Sequence, residues 1–260
     1  MKTVIVPLDF SETSFNAARF AAQMLANKDV TVILYNMFED DEDSDASGNY
    51  LESLKDEFKA KGVKKVETVK EGGSDVVESL VRLAFQKAAT LIVMGITGKT
   101  GMEKVFMGGN TLKMIDRNVC PVMVIPPDAS FKEIKNVAFT SDFVNVESTT
   151  PVLFIKSVLD LFKPKLHIIN VDSKHYVSLT EEFQQERSKM EAMFSDYEIE
   201  FYFIGMSDFH DAINQFSYDK NIDLIVTVPR YHSFLSSVFK STHTKKLVYH
   251  SSVPILAAHE

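Results

Sequence analysis

Short apolar segments alternate with amphipathic segments along the first half of the chain. Five of the apolar segments are rich in β-branched residues or apolar on both faces, as expected for strands of a covered sheet. They span residues 3–7, 30–35, 63–69, 90–94 and 121–125. The second half shows the same alternation, so the pattern predicts α/β units with mainly parallel, doubly wound sheets flanked by helices.

The intervening segments carry apolar residues at helical spacing. The three stripes are Phe15, Ala18, Ala22 and Leu25; Tyr50, Leu54 and Phe58; and Val76, Leu80, Leu83 and Phe85. We expect Ser11 to cap the first helix and Ser74 or Asp75 to cap the third, because short polar side chains accept hydrogen bonds from free N–H groups at a helix start. In the second half, Pro151 is expected in the first turn of the first helix.

An internal repeat sets the domain organisation. The segment Leu91-Ile92-Val93 recurs as Leu224-Ile225-Val226, an offset of 133 residues. The same offset relates Asp9 to Asp142, Asp75 to Asp208 and Pro121 to Pro254. Two copies are too few for a solenoid. The sequence therefore predicts two tandem domains, residues 1–130 and 131–260, each with a five-stranded sheet.

Composition and charge narrow the class of protein. The chain has 260 residues, of which 45% are apolar and 25% charged, and its net charge is −8, as in soluble globular proteins. Both halves are acidic, which argues against nucleic-acid binding because that binding draws on Lys and Arg at phosphates. No apolar run reaches the length of about 18–20 residues that spans a bilayer, so we expect no membrane association. A lone cysteine, Cys120, and no signal peptide at the start of the chain predict a cytoplasmic protein.

Glycines are concentrated where the fourth strand is predicted to end. Nine of the ten glycines lie in the first half, and Gly95, Gly98, Gly101, Gly108 and Gly109 frame a strand exit and a helix start. Glycines let the backbone approach a ligand closely, and a helix N-terminus presents free N–H groups to an anion. The pattern favours a phosphate-binding segment over ordinary turn glycines.

Two common phosphate motifs do not fit. Gly98-Lys99-Thr100 ends like a Walker A loop, but that motif has four residues between its glycines, and Gly95 and Gly98 enclose two. A dinucleotide-binding fingerprint requires glycines after the first strand, where this chain has Pro7-Leu8-Asp9-Phe10. Both motifs are therefore excluded.

Three separated motifs together resemble the universal stress protein family in its tandem form. They are the spacing Gly95-x2-Gly98-x9-Gly108, the segment Pro7-Leu8-Asp9-Phe10-Ser11 after the first strand, and the closing segment Cys120-Pro121-Val122-Met123-Val124. The resemblance implies a five-stranded Rossmann-like fold of the adenine nucleotide α-hydrolase type. Members of the family commonly dimerise, and one branch binds ATP or related adenine nucleotides.

The resemblance also implies a set of nucleotide-binding residues. Pro7, Leu8 and Asp9 would border the adenosine, with Asp9 at the base or ribose, and Met37 would line the base pocket. Met94, Gly95, Thr97 and Gly98 match the segment near the ribose and α-phosphate, and Gly108, Gly109, Asn110 and Thr111 match the segment at the outer phosphates. The family usually has Ser or Thr where this chain has Gly109, so Thr111 is expected to supply part of the missing hydroxyl function. The implied cofactor is ATP, ADP or AMP, with or without Mg²⁺.

The second copy lacks the glycines of this set. At the offset of 133, Gly95, Gly98, Gly101 and Gly108 become Val228, Tyr231, Phe234 and Ser241. Bulky side chains replace the glycines, so we expect no nucleotide binding of this kind in the second domain. Its expected role is to pair with the first domain through residues 121–125 and 254–258, imitating the family's dimer, with a homodimer as a further possibility.

Other candidate chemistry is weaker. The acidic run Glu39–Asp45 is expected to form a solvated, mobile loop rather than a cation site. The seven histidines, all in the second half, show no metal-ligand spacing, and no nucleophile and base pair stands out. We therefore expect no catalytic residue and no bound metal.

The leading hypothesis is a nucleotide-sensing or regulatory module in the stress response, acting on an unidentified regulatory protein. The alternative is an interaction scaffold with the same fold that binds no nucleotide. A true ATPase is a third hypothesis, which would need a positioned base or metal.

Overall fold

The computed structural model describes residues 2–39, 41–96, 109–172, 180–229, 247 and 251–259. The chain divides into two compact units, Met1–Glu133 and Ile134–Glu260. This boundary lies close to the one expected between residues 130 and 131. In the described ranges, no helix has the length and apolar character needed to cross a bilayer.

The first unit is a parallel, doubly wound sheet. Its elements in chain order are β1 (Lys2–Leu8), α1 (Glu12–Met24), β2 (Val30–Phe38), α2 (Asp41–Ala60), β3 (Lys65–Gly72), α3 (Val76–Gln86), β4 (Ala89–Gly95), α4 (Gly109–Asp116) and β5 (Val122–Ile125). The strand order is β3-β2-β1-β4-β5, and each neighbouring pair is parallel. The predicted fold class is confirmed.

Helices cover both faces of this sheet. Helix α1 packs on β1, β4 and β5, helix α2 packs on β2 and β3, and α3 contacts both β4 and α4. The chain moves from β1 to β3 in one direction and from β4 to β5 in the other, and right-handed crossovers in opposite directions lie on opposite faces. The central strands are therefore buried on both sides, and Ile5, Ile33 and Ile92 have no exposed surface.

Two predicted helix caps are confirmed. The Ser11 hydroxyl oxygen accepts a hydrogen bond from the Ser14 backbone N–H at 3.2 Å, at the start of α1. An Asp75 carboxylate oxygen accepts from the N–H groups of Val77 and Glu78, both at 3.1 Å, at the start of α3. Each cap satisfies N–H groups that have no partner within the helix.

Three sequence-based expectations in this unit are wrong. Tyr50 and Phe85, assigned to apolar stripes, are exposed. They lie at the margins of their stripes, and in the α2 stripe the neighbouring Leu51 is buried instead. The acidic run expected as a loop contains the start of α2 at Asp41, because acidic residues in a first turn complement the positive end of the helix dipole.

The second unit repeats the strand order of the first. Its elements are β6 (Asn136–Thr140), α5 (Val146–Thr149), α6 (Val152–Leu159), β7 (Lys165–Val171), α7 (Glu181–Met193), β8 (Ile199–Ile204), α8 (Phe209–Asp219), β9 (Leu224–Thr227) and β10 (Ile255–Ala257). The order is β10-β9-β6-β7-β8, again parallel throughout. Strands β6 to β10 thus correspond in chain order to β1 to β5.

Pro151 interrupts the counterpart of α1. Helix α5 ends at Thr149, Thr150 is extended with φ −109° and ψ 112°, and Pro151 is the N-cap of α6. Proline has no N–H and disfavours helical backbone in the residue before it, so one long helix becomes two short ones. Pro151 therefore lies at the break and not in the first turn of the first helix.

A buried histidine lies on one face of the second sheet. The Nε2 atom of His167 is 3.2 Å from Asn136 Oδ1, and its Nδ1 atom is 3.8 Å from Glu200 Oε2. Burial lowers the pKa of His167, with Lys165 and Lys220 acting in the same direction, while Glu200 and Glu198 oppose the shift. Hydrogen bonds from Lys165 and Tyr202 lower the pKa of Glu200 itself to about 2.

We predict that His167 makes the stability of the second unit depend on pH. The pKa of His167 lies below its ordinary value of 6.5 in the folded state, so the unfolded chain binds the proton more readily. Stability should therefore fall as the pH drops below about 6.5. Urea unfolding followed by circular dichroism at pH 7.5 and pH 5.5 should show a smaller loss in His167→Gln than in the wild type. Equal losses in the two proteins would contradict the assignment.

Candidate functional site

The sequence-predicted site lies where the strand order of the first unit reverses. Strands β1 and β4 are parallel neighbours, with Ile5 opposite Ile92, so both strands end at the same edge of the sheet. From β1 the chain leaves towards β2, and from β4 it leaves towards β5. Connections that diverge in this way leave a crevice at the carboxyl ends, where ligands of doubly wound proteins bind.

Residues at the end of β1 place a carboxylate at this edge. Pro7 and Leu8 are buried, and Asp9 is exposed. Asp9 Oδ1 accepts hydrogen bonds from the Ser11 N–H at 3.0 Å and the Ser11 hydroxyl at 2.6 Å. Partial desolvation alone would raise the pKa of Asp9, but the hydrogen bonds led by Ser11 outweigh it, and the pKa is lowered. Asp9 is thus an ionised acceptor rather than a helix cap, the role that Ser11 fills.

Gly95, the last residue of β4, is required by a close backbone contact. A Cβ atom at this position would lie 2.4 Å from the Thr13 carbonyl oxygen and 2.8 Å from its carbonyl carbon. Both atoms belong to the first turn of α1, so they cannot move like the end of a flexible side chain. Gly95 therefore has a structural role before any ligand is considered.

Thr111 connects helix α4 to the end of β4. Its hydroxyl donates a hydrogen bond to the Gly95 carbonyl oxygen at 3.0 Å, and the residue is only 3% exposed. The hydroxyl proton expected to help bind phosphate is thus used within the protein. Gly109 and Asn110, which precede Thr111 at the start of α4, are exposed and carry backbone N–H groups at the helix N-terminus.

Asn36 also supports the candidate site, and it was not identified from the sequence. Its side-chain Nδ2 donates to the Leu8 carbonyl oxygen at 2.8 Å and so fixes the end of β1 against β2. Its Oδ1 is buried and has no hydrogen-bond partner among the residues that the structure describes. The repeat could have identified Asn36, since Asn170 of the second unit makes the matching hydrogen bond to Ser141 O at 3.0 Å.

The remaining predicted residues divide into two groups. Met94 is buried, and Met37 near the end of β2 is partly exposed, with its Cε 3.2 Å from where a Cβ on Gly73 would lie. Thr97, Gly98 and Gly108 lie outside the described residues. In the described part of the chain, no group of three or more His, Cys, Asp or Glu side chains is placed to hold a metal ion.

The corresponding position in the second unit is nearly closed. A cavity of about 10 Å³ remains there, room for about one water molecule. It is lined by Phe139, Thr140, Ser141, Asp142, Thr149, Thr150 and Val228. Val228, the counterpart of Gly95, is 5% exposed. Asp142 accepts from the Val144 N–H at 3.1 Å, and helix α5 begins after Asn145, so Asp142 forms a turn and does not cap the helix.

Strand order and the crevice at the carboxyl ends define the first unit as a doubly wound α/β domain. Residues 1–126 match the sequence model of the universal stress protein family. A universal stress protein of Methanocaldococcus jannaschii is 29% identical over 140 residues, which cover 48% of this chain and 81% of that protein. The N-terminal region of this chain is therefore similar to the universal stress protein family.

Solved structures extend the fold comparison to the whole chain. A universal stress protein from Archaeoglobus fulgidus is similar with a TM-score of 0.73 at 18% identity, covering 99% of this chain and 98% of that one. A protein of unknown function from Pseudomonas aeruginosa PAO1 is similar with a TM-score of 0.68 at 14% identity, covering 100% and 92%. At these identities, the likeness concerns the fold alone.

We predict that Gly95→Ala destabilises the first unit while Gly109→Ala does not. The alanine Cβ at residue 95 would overlap the Thr13 carbonyl, and such overpacking costs about 1–3 kcal/mol. At residue 109 no described atom outside its own helix backbone and its chain neighbours lies within 4 Å of an added Cβ, and we expect a change within about 0.5 kcal/mol. The stabilities of the two variants can be compared from their midpoints of urea unfolding, measured without ligand. Equal midpoints would show that the contact at Gly95 is not restrictive.

Proposed function

We propose that the first unit binds an adenine nucleotide, ATP, ADP or AMP, as a sensing or regulatory module. The observation that carries the proposal is the hydrogen bond from Thr111 to Gly95 O, which holds the N-terminus of α4 at the carboxyl end of β4. The free N–H groups of that helix start suit phosphate, and the Asp9 carboxylate at the same sheet edge suits hydroxyl or amino donors. One edge thus offers partners for both ends of a nucleotide.

Each predicted residue has a role in this proposal. Asp9 accepts from the ribose or the adenine amino group, and Pro7, Leu8 and Met37 border the base. Met94, Gly95, Thr97 and Gly98 adjoin the ribose and α-phosphate. Gly108, Gly109, Asn110 and Thr111 adjoin the outer phosphates, with Thr111 acting by positioning α4. Mg²⁺ would enter bound to the phosphates of ATP.

We further propose binding without efficient turnover, in the cytoplasm. Slow hydrolysis is compatible with this role, since the proposal places the Asp9 carboxylate at the ribose or base, and the helix N–H groups at the outer phosphates cannot act as a base for water. Cys120 is buried, and desolvation raises the pKa of its thiol to about 12, as suits an unreactive core residue in a reducing compartment. Pairing of the two units, a homodimer and a regulatory protein partner stay predictions.

A scaffold that binds no nucleotide is the second candidate. Two observations favour it: Gly109 stands where the family usually has a hydroxyl residue, and the Thr111 hydroxyl already donates to Gly95 O. Both remove side-chain donors from the phosphate end of the site. The backbone N–H groups at the start of α4 are then the main phosphate donors available.

We predict that purified protein releases an adenine nucleotide on denaturation and that stripped protein binds ATP in calorimetry. Gly98→Val should abolish this binding, because a bulky side chain would occupy the predicted phosphate segment. Val228→Gly, which restores a glycine at the counterpart of Gly95 in the second unit, should leave binding unchanged. No released nucleotide and no heat at millimolar ATP would favour the scaffold. Equal effects of the two substitutions would refute the difference between the units.

We also predict that Asp9→Asn weakens ATP binding and that Asp142→Asn, its repeat counterpart, does not. Loss of a hydrogen bond to a charged group costs about 1.5–3 kcal/mol, or roughly 10- to 100-fold in Kd. Calorimetric titration of both variants measures the difference. The unfolding midpoint of Asp9→Asn must be compared as well, since Asp9 also accepts from Ser11. An unchanged Kd would remove Asp9 from the site.

A further inference from the structure

The outer strand of the second sheet, β8, has backbone groups along one side that pair with no described strand. The Leu166 N–H donates to Glu198 O at 2.8 Å, and the Asp172 N–H donates to Ile204 O at 3.1 Å. Hydrogen bonding in a parallel ladder repeats every second residue, so the even-numbered residues of β8 bond to β7. The N–H and C=O groups of Ile199, Phe201 and Phe203 therefore point away from the sheet. Among the described strands, β8 is the last on this side.

The corresponding edge of the first unit is more polar. The Gly73 N–H donates to Phe38 O at 3.0 Å, so the odd-numbered residues of β3 face β2 and the even-numbered ones face outward. The outward positions of β3 are Val66, Thr68 and Lys70. At the repeat offset of 133 their counterparts in β8 are Ile199, Phe201 and Phe203. Charged residues on an edge strand discourage further pairing. The three matching positions of β8 carry no charge, and the charged residue of that strand, Glu200, lies at a position bonded to β7.

A groove follows this edge. Its volume is about 520 Å³, its floor is residues 199–202, and its walls come from Arg187 and Glu191 of α7 and from Lys220 after α8. The free N–H and C=O groups of the strand thus lie within a cleft bounded by two helices. An added strand could pair along its floor, which is how sheet edges recognise extended peptides.

The groove is lined by two cations, Arg187 and Lys220, and by two carboxylates, Glu191 and Glu200, of which Glu200 pairs with Lys165. The Arg187 guanidinium is 4.6 Å from the centre of the Phe201 ring, and Lys220 Nζ is 4.9 Å from the centre of the Tyr202 ring. Neither forms an ion pair within the ranges that the structure describes. Consecutive strand residues point to opposite faces, so the two cations lie on opposite sides of β8.

We propose that β8 is a docking edge for an extended, acidic segment of a partner polypeptide. The segment pairs with the outward groups of Ile199, Phe201 and Phe203 as an additional strand. Two consecutive acidic residues of the segment point to opposite faces, so one reaches Arg187 and the other Lys220. Apolar or β-branched residues on either side pack along the exposed apolar edge.

A second copy of this chain is a less suitable occupant. In an antiparallel pair of β8 strands with Phe201 on the two-fold axis, Ile199 would oppose the other copy's Phe203, which is favourable. However, the two Arg187 side chains, each over its own Phe201 ring, would meet near the axis. Like charges facing each other are destabilising, whereas an acidic peptide places the opposite charge there.

Amide hydrogen exchange of the full-length protein tests the docking edge. The probe is a capped peptide, Thr-Val-Glu-Asp-Val-Thr, with Thr-Val-Lys-Lys-Val-Thr as its charge-reversed control. We expect the acidic peptide to slow exchange at Ile199, Phe201 and Phe203 by about ten-fold and to leave Tyr202, already bonded to β7, unchanged. No protection at millimolar peptide, or protection without this alternation, would overturn the proposal. Protection that rises with protein concentration alone would assign the edge to a second copy instead.

Charge-reversed variants test the recognition of carboxylates. Arg187→Glu and Lys220→Glu, both at exposed residues, should each weaken binding of the acidic peptide by about five-fold or more at low salt. Lys132→Glu, an exposed residue of the first unit, makes the same change in net charge and should have no effect. Equal weakening in all three variants would show that only the net charge of the protein matters, against the proposed contacts. Nucleotide binding plays no part in this test, so its outcome is independent of the proposed function.

Discussion

The close approach of α1 to β4 at Gly95 is the constraint on which the crevice of the first unit depends. Helix α1 packs on β4 and β5, and its first turn comes so near the end of β4 that a Cβ would lie 2.4 Å from the Thr13 carbonyl oxygen. The same turn begins with the Ser11 cap, which holds Asp9. The Gly95 carbonyl in turn accepts from Thr111 and fixes the start of α4. The ends of β1, β4 and α4 therefore converge because residue 95 has no side chain.

The two units share several stabilising features, although they differ at the position of Gly95 and Val228. Phe10 and Phe143, 133 residues apart, both have left-handed backbone, with φ values of 59° and 54°. Asn36 and Asn170 both bind a carbonyl at the end of the first strand of their unit. Asp75 and Asp208 both cap the helix after the third strand. With Val228 in place of Gly95, the second unit retains this framework around a nearly closed cavity. These shared features therefore stabilise the fold itself and do not require a ligand.

Local patterns predicted most of the fold, because strands, helices and caps depend on residues close together in sequence. Ser11 and Asp75 were identifiable as caps from their neighbours alone. Tyr50 and Phe85 were misassigned because the margin of an apolar stripe is set by what packs against the helix. The effect of Pro151 depended on where the preceding helix began. A periodic pattern predicts which face of a helix or strand is buried better than it predicts where that element begins and ends.

The strand order explains why segments 7–9 and 94–95, both named from the sequence, lie at one edge of the sheet. The roles of the residues at this edge were not predictable from the sequence. Whether Gly95 makes room for phosphate or for Thr13 depends on a contact between residues far apart in sequence. The Thr111 hydroxyl likewise bonds to a residue 16 positions away, so its use within the protein was not visible from spacing.

The repeat-related edge strands β3 and β8 differ in their side chains. In the first unit, α2 reaches the edge strand through the hydrogen bond from Thr68 to Glu52 at 3.0 Å, and Lys70 adds a charge. In the second unit, the matching positions are Phe201 and Phe203, and Arg187 lies over a ring instead of pairing with a carboxylate. A polar edge held by its own helix has its side-chain partners within the unit. An edge with apolar outward positions, beside cations that form no ion pair within the described ranges, has backbone groups left for bonding to another chain. The repeat thus separates two surfaces, a crevice at the carboxyl ends in the first unit and an open strand edge in the second.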